Sequence, residues 1–163
     1  MRVYISNKFV SFGGDSTVKD ENGNNIYFVN GKFMSPLHVK WVCDMQKHKL
    51  FKVRKEFKWN ASDNKAFIYD ESKTKIATVR RIRFSGRKFT VEGYRDEISI
   101  EFVDRHTGTI TRNGKIIGRI DRTYEHAVKQ FIFSKDSFCL EAEDEKDIPF
   151  LIALVIALDI LTD

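Results

Sequence analysis

Apolar and polar side chains alternate along most of this sequence, the period of two that sends successive side chains to opposite faces of a β-strand. Polar clusters divide the alternation into segments, and each segment predicts a strand. The first is MRVYISNKFV, followed by Thr17-Val18-Lys19, Ile26–Phe33, His38–Asp44, Leu50–Phe57 and Lys65–Asp70. Ile76–Phe84, Lys88–Tyr94, Glu97–Val103, Thr109–Thr111, Lys115–Arg122 and Ser137–Glu143 complete a set of twelve. The breaks are turn-rich, among them Asp20 to Asn25, Met45 to His48, Glu71 to Thr74 and Ser85-Gly86-Arg87. Asn113-Gly114 is the strongest hairpin signal, because both residues tolerate the positive φ of a type I′ turn. Residues 125–135 fit either a strand extension or an irregular loop.

A second pattern overlies the first. An aliphatic residue is followed, usually four positions on, by an aromatic: Ile5 and Phe9, Val29 and Phe33, Val53 and Phe57, Val79 and Phe84, Ile120 and Tyr124. The aromatics are spaced 24, 24, 27 and 40 residues apart. A period near 24 matches one hairpin, two strands and two turns, and favours a meander that closes on itself. The residue midway in each motif shares the core-facing side with the aliphatic one. Those residues are Asn7, Gly31, Lys55, Arg81 and Arg122, none of them apolar. Charges pointing into an apolar barrel are costly, so Lys55, Arg81 and Arg122 are expected near a barrel mouth. The extra residue between Val79 and Phe84 predicts a bulge near Arg80-Arg81.

One stretch breaks both patterns. Residues 148–161, IPFLIALVIALDIL, carry ten large apolar side chains and a single charge, Asp159. A helix that is apolar all round must be enclosed. Asp147 is the expected cap, with Pro149 in the first turn and Asp144 and Glu145 at the positive end of the dipole. Crossing a bilayer takes roughly 20 apolar residues, so a core helix is expected and not a membrane anchor. Fourteen helical residues span about 21 Å, and strands of six to eight residues reach roughly 20–27 Å. The expected fold is therefore mainly β: a twelve-stranded antiparallel closed barrel enclosing a C-terminal hydrophobic α-helix.

Composition narrows the class. The chain has 163 residues, 42% of them hydrophobic, with fourteen Phe, which fits one globular domain over 1–163. The alternating N-terminal segment lacks the apolar core of a signal peptide, and Cys43 and Cys139 show no paired spacing. A cytoplasmic protein with reduced thiols is expected. Charge is uneven: residues 1–135 carry +12 and residues 136–163 carry −7, for a net +5. The basic part could meet anions such as phospholipid headgroups or nucleic acid.

The aliphatic–Lys–Phe strands, the Val18-Lys19-Asp20-Glu21-Asn22-Gly23 turn and the helix Ala153-Leu154-Val155-Ile156-Ala157-Leu158-Asp159 together resemble the LURP-one-related family along essentially the whole chain. Its bacterial members are small cytoplasmic proteins of largely unassigned role. That family is similar in fold to the tubby C-terminal domain and the phospholipid scramblases, twelve-stranded barrels around a central hydrophobic helix. The resemblance implies a binding or adaptor module, with anionic lipid as the candidate ligand. It transfers no binding residue to this chain.

Enzyme signatures are missing: no GxSxG elbow, no P-loop, and four dispersed histidines without HExxH or paired cysteines. Asp20 to Asn24 looks superficially like a calcium loop, but its glycine is misplaced and Gly31 occupies the twelfth, acidic position. A non-enzyme without metal or cofactor is expected. The candidate anion-binding residues are Arg80, Arg81, Arg83, Arg87 and Lys88 around the Ser85-Gly86 turn, together with Lys55 and Arg122. Lys52, Arg54, Lys55 and Lys58 form a second basic hairpin end, and Trp59 and Phe84 are candidate interfacial anchors. The expected partner is an anionic membrane surface met peripherally from the cytoplasmic side. The alternative is a nucleic-acid-binding or protein-interaction domain using the basic hairpin ends; nucleic acid is the weaker, since no RRM, KH or zinc-knuckle signature accompanies the charge.

Overall fold

A computed structural model describes residues 1–6, 15–31, 36–57, 64–83, 85, 87–122 and 137–162. Among them are twelve strands: β1 (Arg2–Ser6), β2 (Ser16–Asp20), β3 (Asn25–Gly31), β4 (Lys40–Cys43), β5 (Lys49–Lys55) and β6 (Lys65–Tyr69). The series continues with β7 (Lys75–Arg81), β8 (Lys88–Glu92), β9 (Ile98–Phe102), β10 (Thr107–Arg112), β11 (Lys115–Asp121) and β12 (Ser137–Ala142). Each pairs antiparallel with its neighbours in sequence, and β1 closes the ring on β12. Helix α1 (Ile148–Thr162) follows, and twelve of its fifteen residues are buried. The barrel and its central helix are as the alternation and the all-round apolar segment predict.

The enclosure is close. Val3, Val18, Val29, Val42, Val53, Ile68, Val79 and Ile110 are fully buried from the strands, as are Leu151, Ile152, Leu154 and Leu158 from the helix. Burying each such side chain contributes about 1.5–3 kcal/mol before entropy is subtracted. Gly118 of β11 lets the helix approach: a Cβ there would stand 3.1 Å from Leu151 Cδ1.

Because the sheet is a meander, the odd-numbered strands all run the same way, and the two mouths differ. At one, the turn mouth, the connections are short: residues 21–24, 44–48, 70–74, 93–97 and 113–114. Three of these share one design. Asp20, Asp44 and Asp70 each donate a backbone N–H to the carbonyl four residues on, at 2.9, 3.0 and 2.9 Å. Each carboxylate accepts the N–H of that same residue, at 2.8, 2.8 and 2.9 Å. The residue three past the aspartate takes positive φ: Gly23, Lys47 and Lys73. A register shift sits beside each turn, which is how a type I turn joins two strands without splaying them. These bulges repeat with the hairpins.

Asn113 and Gly114 both have positive φ, the expected type I′ pair. The expected bulge at Arg80-Arg81 is corrected. Arg80 pairs with Lys65 and Thr90, and Arg81 with Phe89, in unbroken register. The extra residue is taken up beyond the strand, where Ile82 N–H donates to Lys88 at 2.8 Å and Ser85 N–H to Ile82 at 3.1 Å.

The helix enters at the turn mouth. Asp144, not the expected Asp147, caps: its carboxylate accepts the Lys146 N–H at the head of a 3-10 turn, Glu145–Asp147. The Asp147 carboxylate is held instead by Arg112 at the end of β10, through Nη1 at 3.1 Å and Nη2 at 2.8 Å. Just inside, Phe150 stacks on Tyr94 at 4.5 Å and tilts against Phe51 at 5.9 Å.

Candidate functional site

The other mouth, the far mouth, lies where odd strands end and even strands begin. Its chemistry differs. Arg81 at the end of β7, Arg87 before β8, Arg105 after β9 and Arg122 after β11 line one cavity of about 390 Å³. Phe89, Phe102, Asp104 and Thr162 complete the lining. Asp104 is the one carboxylate among these residues. Its Oδ1 accepts the N–H groups of His106 at 2.6 Å and Thr107 at 2.7 Å, and these bonds hold it below the usual carboxylate range. Thr162 brings the last turn of α1 to the cavity, with its Oγ1 donating to the carbonyls of Leu158 at 3.0 Å and Asp159 at 3.2 Å. Cations near a helix C-terminus are favoured by its dipole, which gives the cluster a structural role beside any binding role.

The floor is aromatic. Phe89 and Phe102 meet edge to face at 6.2 Å, and the Arg122 guanidinium stands 5.2 Å from the Phe102 ring and 5.0 Å from Phe138. Gly108 leaves the room: an added Cβ would come within 2.9 Å of the Phe102 ring. Arg87 Nη1 donates to the Val103 carbonyl at 2.9 Å, which ties the start of β8 to the end of β9.

Of the residues expected from sequence, Arg81, Arg87 and Arg122 meet in this cavity. Lys55 ends β5 at the same mouth but does not line the cavity, and Arg83 is exposed in the β7–β8 connection. Arg80 and Lys88 point outward from the barrel wall, where Arg80 pairs with Glu92 and Lys88 with Glu101 at 3.1 Å. Strand alternation separates them from Arg81 and Phe89, their inward neighbours. Trp59, Phe84, Lys58 and residues 125–135 lie outside the described residues, as do Asn7, Phe9, Phe33 and Tyr124.

Two far-mouth residues were not foreseen. Arg105 follows the end of an odd strand, as Arg81 and Arg122 do, and that shared position is the signal that finds it. Lys40 opens β4 in phase with Val42 and is only 5% exposed. Burial lowers its amine pKa, and the carboxylates of Asp159 and Asp15 work against that. A lone Asp159 in an apolar helix was itself a request for a cation.

A second basic region lies on the outer wall. Lys49 stands over Trp41 at 4.7 Å, Lys52 over Tyr69 at 5.6 Å, Arg54 over Phe67 at 5.0 Å and Lys75 over Phe67 at 4.8 Å. Arg54 Nε also donates to the Tyr69 hydroxyl at 3.1 Å. Here each cation already has an aromatic face. Among the described residues no group of three or more His, Cys, Asp and Glu side chains is placed to hold a metal, and no helix is long and apolar enough to cross a membrane.

A model of the LURP-one-related family matches residues 1–159. The chain belongs to that family. Comparison with curated proteins and with solved structures gives no significant match. The LURP-one-related match runs through all twelve strands and most of the central helix, so the barrel and its far mouth both lie within it.

Proposed function

We propose that this LURP-one-related protein is a non-enzymatic binding or adaptor domain that receives a phosphate-bearing anion, a phospholipid headgroup, at the far mouth. The observation that carries the reading is the convergence of Arg81, Arg87, Arg105 and Arg122 on one cavity. They come from three connections, β7–β8, β9–β10 and β11–β12, so no single turn accounts for their meeting. Arginine presents a planar fork of donors suited to phosphate oxygens. The family's resemblance to tubby C-terminal domains and scramblases supports lipid over other anions, and the protein would act peripherally from the cytoplasmic side.

The nucleic-acid alternative draws on the outer wall, where aromatics and cations alternate across β4, β5 and β6. Stacking on bases needs open ring faces. The cations over Trp41, Phe67 and Tyr69 occupy those faces, which favours the cavity reading.

The test is co-sedimentation with vesicles of phosphatidylcholine alone or mixed with phosphatidylglycerol, beside a single-stranded RNA shift at the same salt. Binding to the mixed vesicles only is expected. Replacing Arg81, Arg87 and Arg105 with Gln should weaken it on the order of a hundredfold, at about 1 kcal/mol per cation. Equal binding to neutral vesicles, or RNA binding that outlasts vesicle binding as salt rises, would overturn the reading.

A further inference from the structure

We propose that the barrel meets the membrane end-on, far mouth down, with Phe57, Ile82 and Val103 entering the headgroup layer around the arginine cavity. This rests on the anion-binding reading above and adds an orientation and an insertion surface to it. Phe57 and Val103 are 67% and 69% exposed, the highest values among the large apolar side chains of the described residues, and Ile82 is 40% exposed. Each lies just past the end of an odd strand: Phe57 after β5, Ile82 after β7, Val103 after β9. They therefore share one rim, on an arc of four strand spacings, about 19 Å.

Cations intersperse that arc. Lys55, Arg81, Arg83, Arg87 and Arg105 lie along it, against Glu56 and Asp104. Apolar tips among basic residues fit a surface whose outer layer is anionic and whose next layer is hydrocarbon. A protein partner of acidic surface would answer the charges but would not need three separate apolar tips.

The opposite end argues for the same orientation. The turn mouth carries Asp20, Glu21, Asp44, Asp70, Glu71, Glu97, Asp144 and Glu145 against Lys47, Lys73, Arg95 and Lys146, a balance that an anionic surface repels. Its exposed apolar residues among those described, Met1, Met45 and Ile116, are 39%, 39% and 36% exposed, well below Phe57 and Val103.

The test compares two variants with the wild type on phosphatidylglycerol-containing vesicles. Replacing Phe57, Ile82 and Val103 with Ser should weaken binding roughly tenfold or more. Replacing Met45 and Ile116 with Ser should leave it unchanged. All five positions are exposed, so both variants should melt with the wild type, and circular dichroism checks this. If wild type binds and the far-mouth variant binds equally well, end-on docking is overturned while the cavity reading stands. Weakened binding by the turn-mouth variant overturns the orientation. If wild type does not bind these vesicles at all, the headgroup reading fails and this inference falls with it.

Discussion

At the turn mouth, charged side chains are consumed locally. Asp20, Asp44 and Asp70 each accept N–H groups of their own turn, and Arg112 closes on Asp147 to seat the helix. At the far mouth, arginines from three separate connections face a shared cavity. Both ends hang on the same strands and the same central helix. What separates them is how charge is answered: at one end the three turn aspartates are satisfied within their own turns and Arg112 is closed on Asp147, while at the other four arginines drawn from 81 to 122 converge on one space. Local satisfaction makes an end rigid and self-contained. Arginines gathered from distant segments, even where one of them also ties strands together as Arg87 does through the Val103 carbonyl, concentrate positive charge on one cavity, an arrangement suited to an anion.

Three measurements bear on this contrast. The largest effect should come from Leu154→Asp, which strikes the support common to both mouths. Leu154 is fully buried in the middle of α1, and an unpaired charge there costs several kcal/mol. The variant should be insoluble or unfolded by circular dichroism. A soluble, cooperatively melting Leu154→Asp protein would mean that the helix is not what holds the mouths apart.

Arg112→Gln should give an intermediate effect and a clean separation of roles. It removes a bidentate charge-assisted pair at the turn mouth, lowering stability by about 2 kcal/mol in urea unfolding. Vesicle binding should stay at the wild-type level. If it fell as far as in the far-mouth arginine variants, the two ends would not be functionally distinct.

How far the sequence anticipates this division depends on the range of the interaction. The helix was legible because no polar face interrupts Ile148 to Leu158, and the strands because their alternation is nearly unbroken. Asp20, Asp44 and Asp70 recur at 24 and 26 residues, so their shared turn was readable in principle. Arg80 and Arg81 fall in one basic run as a single candidate site, although strand phase sets Arg81 on the core-facing side. Only the wall of a closed barrel sends the first to Glu92 and the second to the cavity. Asp147 read as a cap because its neighbours pointed that way, while Arg112, thirty-five positions earlier, claims its carboxylate. Such partners are set by strand order and register, which composition does not carry.

The smallest effect concerns the thiols. Cys43 lies at the turn-mouth end of β4 and Cys139 toward the far-mouth end of β12, and both are free. Burial raises both, pushing Cys139 to about 11 against the pull of Arg2. At pH 8, native Cys139 should alkylate on the order of a hundredfold more slowly than the urea-unfolded chain. Because its folded pKa is the higher one, this contribution to stability is complete below about pH 8.5 and is lost as pH climbs toward 11. A native rate equal to the unfolded one would show that the strand leaves Cys139 open.

The placement of α1 after β12 also sets a timetable. On a ribosome the twelve strands emerge before the helix they surround, and β1 must wait for β12 before the ring can close. Until then every inward Val and Ile has nothing to pack against, and β1 offers an open edge to any neighbouring chain. The sequence-adjacent hairpins pair locally, but ring closure between β1 and β12 and packing on α1 join distant segments last, the kind of contact associated with slow folding.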